Sequence, residues 1–148
     1  ASVYTENAAT FVQQLHDLHK EGKQQLKGLK APLITFHDSM GYFARSFGLK
    51  RPGSIQNNPG VQPDRQKLQK LIEDCKGLKR VVVALEPQYP PSAADTLVGA
   101  LRDKLKDLEV IVVTLDPLET CEANAELNAT WYLEKMRKNF QELAKAVE

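Results

Sequence analysis

Three polar clusters follow directly on short apolar runs, and they hold most of the chemistry this chain could perform. His37-Asp38 comes after Leu33 to Phe36, Glu86-Pro87-Gln88 after Val81 to Leu85, and Asp116-Pro117 after Val110 to Leu115. An imidazole and a carboxylate converging on one crevice can share a divalent cation. Neutral nitrogen suits zinc, and carboxylate offsets its charge. A plainer alternative stands beside this one: His37 as a hydrogen-bonded histidine under a loop, Asp116 as a turn former ahead of proline. Glu86 could serve as a general base, but the sequence pairs it with no nucleophile, second acid or oxyanion loop. A hydrogen-bonding role to the backbone at a loop is the simpler expectation for it.

Other reactive side chains carry less. His16 and His19 are three apart on one helix and could chelate at that spacing, yet both fall at the margin of an apolar stripe. A solvated helix flank is the better reading, since a structural zinc site needs four ligands. Cys75 and Cys121 form no CxxC pattern and are either a pair in an oxidising compartment or two free thiols. Cys75 lies on an apolar helical face and reads as inert, whereas Cys121 sits in a polar loop. No GxGxxG follows a strand and no GxxxxGK[ST] occurs, so phosphate cradling by a glycine loop is unsupported.

The elements that must position these residues are legible from periodicity. Tyr4, Ala8, Phe11, Leu15 and Leu18 recur at steps of four and three, which predicts a long helix ending near Gly28, with Pro32 barring continuation. Leu33 to Phe36 predicts a buried strand. Asp38 or Ser39 can cap a short helix carrying Tyr42, Phe43 and Phe47, stopped by Gly48. Lys50 to Gln62 reads as loop, with Ser54 to Gln56 as a brief edge strand. Pro63 and Asp64 suit the first turn of a helix that buries Leu68, Leu71, Ile72 and Cys75 and ends at Gly77. Val81 to Leu85 is the clearest strand. Ser92 and Asp95 resemble a capping box for a helix burying Leu97, Val98, Leu101 and Leu105. Val110 to Leu115 is another flush apolar strand, and a last helix buries Leu133, Met136, Phe140, Leu143 and Val147. Strands alternating with helices predict an α/β, Rossmann-like lobe with a mainly parallel sheet of about four strands. In such sheets the crevice lies beyond the carboxyl ends of the strands, where the three polar clusters fall.

Composition narrows the function classes. The chain has 148 residues, 42% hydrophobic and 26% charged, which suits one globular domain with a real core. Twenty basic against nineteen acidic residues leave a net charge of +1, so no basic excess points to nucleic acid. No apolar run approaches a membrane span of roughly 20 residues, and Ala1 to Asn7 carry no leader pattern.

Five segments, in order, are similar to one known family. Thr35-Phe36-His37-Asp38-Ser39-Met40-Gly41-Tyr42-Phe43-Ala44 resembles the THDAFGYFA-type segment of the zinc- and manganese-specific substrate-binding proteins of ABC importers (metal-binding cluster A-I). Asn7 to Leu18 resembles that family's long helix between two lobes. Leu85-Glu86-Pro87-Gln88 resembles its FxEPQ segment, Thr114-Leu115-Asp116-Pro117-Leu118 its LDPL segment, and Tyr132 to Arg137 with Asn139 and Leu143 its final helix. Departures occur at Gln62-Pro63-Asp64, where Glu-Pro-Ser is frequent, and at Ser39-Met40, where Ala-Phe or Ala-Trp is commoner. They bear on the subgroup.

The resemblance implies a carboxyl-terminal lobe over residues 31–148, preceded by a linking helix over residues 1–30. His37 and Asp116 would be this lobe's two ligands, and a missing amino-terminal lobe would supply the rest. It further implies zinc rather than manganese as transported ligand, an ABC permease as membrane partner, and no enzymatic activity. The location would be periplasmic or extracytoplasmic, held at the membrane by the partner or a lipid anchor. Two other function classes remain open from the residues: a small Rossmann-like hydrolase or transferase using Glu86 or His37 as base, and a truncated interaction domain without metal.

Overall fold

The computed structural model describes residues 2–56, 65–121, 123–125 and 127–147. Its first helix, α1 (Ser2–Gln25), leads into strand β1 (Leu33–Thr35). A 3-10 turn at Asp38–Met40 and the short helix α2 (Gly41–Ser46) precede strand β2 (Gly53–Ser54). Then follow α3 (Arg65–Asp74), β3 (Arg80–Leu85), α4 (Asp95–Lys104), β4 (Glu109–Thr114) and α5 (Trp131–Ala144). The expected parallel α/β architecture is present: one sheet in the order β2-β1-β3-β4, every neighbouring pair parallel.

Parallel strands need helical crossovers, and those helices must cover both sheet faces. Alternation along β3 sends Val81, Val83 and Leu85 to one face, where Leu71 and Ile72 of α3 and Leu97 and Leu101 of α4 cover them. Val82 and Ala84 go to the other face with Leu33, beneath Leu18 of α1 and Leu133, Phe140 and Leu143 of α5. Gly22 is where α1 comes closest to its neighbours. A Cβ there would stand 2.6 Å from ring carbons of both Phe140 and Phe47, so only glycine fits. At the end of this turn Gly28 takes φ +102, the left-handed stop that glycine permits.

Several sequence expectations differ from the structure for identifiable reasons. The apolar run of β4 suggests burial on both faces, but β4 is an edge strand and Val112 is 43% exposed. On α1 the stripe is covered only from Leu15 onward; Tyr4 and Phe11 are exposed because the amino-terminal half of the helix extends past the sheet. Ser92 starts no α-helix by a capping box. It lies in a 3-10 turn, Pro91–Ala94, and α4 begins at Asp95 with no side-chain cap. Neither Asp38 nor Ser39 caps α2: Asp38 pairs with Arg51, and Ser39 turns inward to Glu86. The brief strand falls at Gly53–Ser54 rather than Ser54 to Gln56. Gln62, Pro63 and Asp64 lie outside the described residues. No described helix is long and apolar enough to cross a membrane.

Both cysteines are free thiols, Cys75 buried and Cys121 exposed. Burial, aided by the negative charge of Asp74, pushes the Cys75 thiol up from 9.0 to about 11. A raised folded-state value contributes stability below the unfolded value and loses it as pH rises through the folded one. Stability should therefore decline between pH 9 and about 11. Alkylation of native protein at pH 8, read by mass spectrometry, should modify Cys121 and spare Cys75 until denaturant is added. Equal labelling of both in the native state would contradict this packing.

Candidate metal centre

Backbone bonds continue past the ends of β1, β2 and β4, so the chain exits are fixed. Phe36 N–H donates to Ala84 O at 2.9 Å, Gln56 N–H to Phe36 O at 2.8 Å, and Leu115 N–H to Leu85 O at 2.7 Å. His37, Glu86 and Asp116 each follow the last of these paired residues, which puts all three on the carboxyl edge.

His37 is the centre of the arrangement. Its Nδ1 stands 4.0 Å from Glu86 Oε1 and 3.9 Å from Glu119 Oε1. One donor atom from each of the three lies within 4.8 Å of the others, the only such trio of acids, histidines or cysteines among the described residues. His37 Nδ1 is shut off from water and has no hydrogen-bond partner. An unpaired buried polar atom of this kind costs about 1–3 kcal/mol, and such an atom calls for an ion or water to complete it. Zinc bound to nitrogen at about 2.0–2.1 Å and oxygen at about 2.0–2.2 Å sets tetrahedral donors about 3.4 Å apart. Each histidine–carboxylate gap would close by only about half an ångström, a side-chain adjustment. Neutral imidazole with two carboxylates is a donor set suited to zinc and acceptable to manganese.

Glu86 is 2% exposed, so its charge requires compensation. Ser39 Oγ donates to Oε1 at 2.9 Å and Gln88 Nε2 to Oε2 at 2.7 Å. These partners are side chains, not the backbone that the sequence reading expects. Beside it, the Tyr89 hydroxyl is raised above its usual 10.0 by burial first, then by the negative charges of Glu86 and Glu119. The Tyr89 ring packs on Phe36 at 4.4 Å, closing the apolar side of the cluster.

Asp116, the second ligand expected from sequence, is on the right edge but is engaged elsewhere. Its Oδ1 accepts the Leu118 N–H at 2.9 Å, and its Oδ2 meets Lys135 Nζ at 3.1 Å. Glu119 stands in the cluster instead. Sequence reading missed it because it sits three residues beyond the strand-end motif, in what looks like open loop. The turn that returns it is tight: Leu118 has φ 64, the left-handed region a branched side chain rarely adopts. His16 is exposed, as a helix flank should be. His19 is not simply solvated: its Nε2 lies 3.1 Å from Ser46 O and its ring 5.3 Å from Phe47, tying α1 to α2.

Fold and cluster together define a parallel α/β lobe that collects metal-competent donors at the carboxyl edge of its sheet. Comparison with known proteins agrees with that class. The family described as "Zinc-uptake complex component A periplasmic" matches residues 1–146. A high-affinity zinc uptake system protein, ZnuA of Haemophilus ducreyi, is 36% identical over 128 residues, covering 86% of this chain and 38% of that protein. A Zn(II)-bound variant of AdcAII from Streptococcus pneumoniae superposes with a TM-score of 0.76 at 26% identity, over 99% of this chain and 50% of that one. FpvC of Pseudomonas aeruginosa, solved with Mn2+, shares the fold with a TM-score of 0.74 at 22% identity, over 99% of this chain and 52% of that one. The chain belongs to the zinc-uptake component A family and spans about 38% of that curated relative's length.

The support beneath Glu86 can be tested without metal. Ser39→Ala removes a donor to a buried charge and should lower unfolding free energy by about 1.5–3 kcal/mol, measured by urea denaturation at pH 7. An unchanged midpoint would mean that Glu86 does not depend on Ser39.

Proposed function

We propose that this chain is the carboxyl-terminal lobe of an extracytoplasmic metal-binding component of an ABC importer, with zinc as its cargo. In this reading residues 1–30, which carry α1, are the link between two lobes, and residues 31–148 belong to the lobe itself. His37 and Glu119 grip the ion, Glu86 supplies buried negative charge behind them, and Asp116 organises the loop rather than binding directly. The remaining donors come from an upstream lobe, and a membrane permease receives the cargo outside the cytoplasm. The single observation that carries the reading is His37 Nδ1, buried, unpaired and facing two carboxylates at the edge where parallel sheets bind ligands.

Two further features support an upstream lobe. Tyr4 and Phe11 leave an apolar stripe of α1 uncovered. An apolar cavity of about 320 Å³, lined by Met40, Phe43, Tyr132 and Phe140, reaches Ser39 and Pro117 at the margin of the cluster. A catalytic use of Glu86 fits poorly, because both of its oxygens already accept hydrogen bonds.

Zinc competition against a chromogenic indicator at pH 7.5 tests the site. The chain should bind weakly, since the donors of this lobe alone leave the zinc tetrahedron open. His37→Ala should abolish specific binding, Glu119→Gln should leave a much weaker but measurable affinity, and Asp116→Asn should weaken it less. Affinity should fall on acidification, because a protonated imidazole cannot ligate. Binding that survives His37→Ala at full strength would overturn the assignment; Asp116→Asn outdoing Glu119→Gln would return Asp116 to the ligand set.

A further inference from the structure

Asn139 is a buried amide with an unusual set of partners. It is 2% exposed, on the face of α5 turned toward the sheet. Its Oδ1 accepts the Asp116 N–H at 2.8 Å, and its Nδ2 donates to the Asp116 carbonyl at 2.8 Å. One side chain thus pairs with both backbone polar groups of one residue, as a facing residue does in an antiparallel ladder. Asp116 is the second residue past the end of β4, the open edge of the sheet, so its N–H and C=O have no strand to meet on that side. Asn139 stands in for that strand.

Lys135 lies one helical turn earlier on the same face of α5 and holds Asp116 Oδ2 at 3.1 Å. Asp116 Oδ1 in turn fixes the Leu118 N–H, locking the φ 64 turn that immediately precedes Glu119. α5 therefore grips the loop at backbone and side chain, and Glu119 leaves that grip 3.9 Å from His37 Nδ1. Side chains that orient a ligand from behind commonly set metal affinity by 10–100-fold.

We propose that Asn139, assisted by Lys135, is a positioning residue that sets the affinity of the site for a divalent cation by fixing the loop from Asp116 to Glu119. The inference rests on the metal reading of His37 and Glu119 and adds to it the element that controls that reading's weakest link, a donor carried on an exposed loop. Only an amide serves here. A carboxylate at position 139 would set an acceptor against the Asp116 carbonyl, and a serine is too short to reach both groups.

A double-mutant cycle with zinc and a chromogenic indicator tests this. Asn139→Ser should lower zinc affinity about 10-fold, and should have little further effect once Glu119→Gln is present, because it acts through Glu119. Asn139→Asp should not rescue. If Asn139→Ser does not fold, Lys135→Met, a half-exposed position, must show the same dependence on Glu119 with a smaller loss. Equal losses with and without the Glu119 carboxylate, or a folded variant with unchanged affinity, would overturn the proposal. Amide hydrogen exchange separates its failure from that of the metal reading. Should Glu119→Gln leave zinc binding intact, the metal assignment fails; faster exchange at Asp116 and Leu118 in Asn139→Ser would still uphold the clasp, and unchanged exchange would reject it.

Discussion

Strands that run in the same direction must release their chains at the same end, and this geometric constraint underlies the rest of the molecule. β1, β3 and β4 pair in parallel with unbroken register, from Leu33 against Val82 to Leu85 against Thr114. Three polar segments far apart in sequence therefore surface side by side. The constraint is stable only because both faces of the sheet are covered, so the two apolar clusters and the edge cluster are parts of one solution. Loss of the α5 cover would uncover Leu33 and Val82 and remove the clasp on Asp116 together.

The carboxyl edge then gathers carboxylates, from the buried Glu86 to the exposed Glu119. Glu86 is held by hydrogen bonds from Ser39 and Gln88, which offset much of the cost of burying a carboxylate. His37 has no such compensation at Nδ1. Under the proposed reading, that unpartnered nitrogen is where an exchangeable cation would bind. The same negative field reaches Tyr89, whose hydroxyl is held in its protonated form.

The donors differ in how firmly they are placed. Glu86 follows β3 directly, and His37 follows Phe36, whose backbone is still bonded to Ala84 and Gln56. Glu119 is exposed and reaches the cluster through a turn, so its position depends on Asp116, Leu118 and the hold of α5. Under the proposed reading, a ligand on a loop could withdraw while the donors nearer the strands stay in place.

Much of this was readable from local pattern. Flush apolar runs located β1, β3 and β4, helical spacing located α1, α3, α4 and α5, and strand-end polarity marked His37, Glu86 and Asp116 as neighbours on one edge. These features follow from nearest-neighbour sterics and burial, which sequence periodicity encodes. Tertiary structure decided what depends on long-range partners. It made β4 an edge strand although its residues are as apolar as those of β3, because sheet order is not written in any one strand. It drew Ser39 from a helix cap to Glu86, since a buried carboxylate is a stronger claim on a hydroxyl than a solvated helix end. Above all it brought Glu119 beside His37, while Asp116 on the same edge meets Lys135 and the Leu118 N–H. The loop from Asp116 to Glu119 is held by Asn139 and Lys135, some twenty residues further along the chain, and turns at a left-handed Leu118 that no local rule favours.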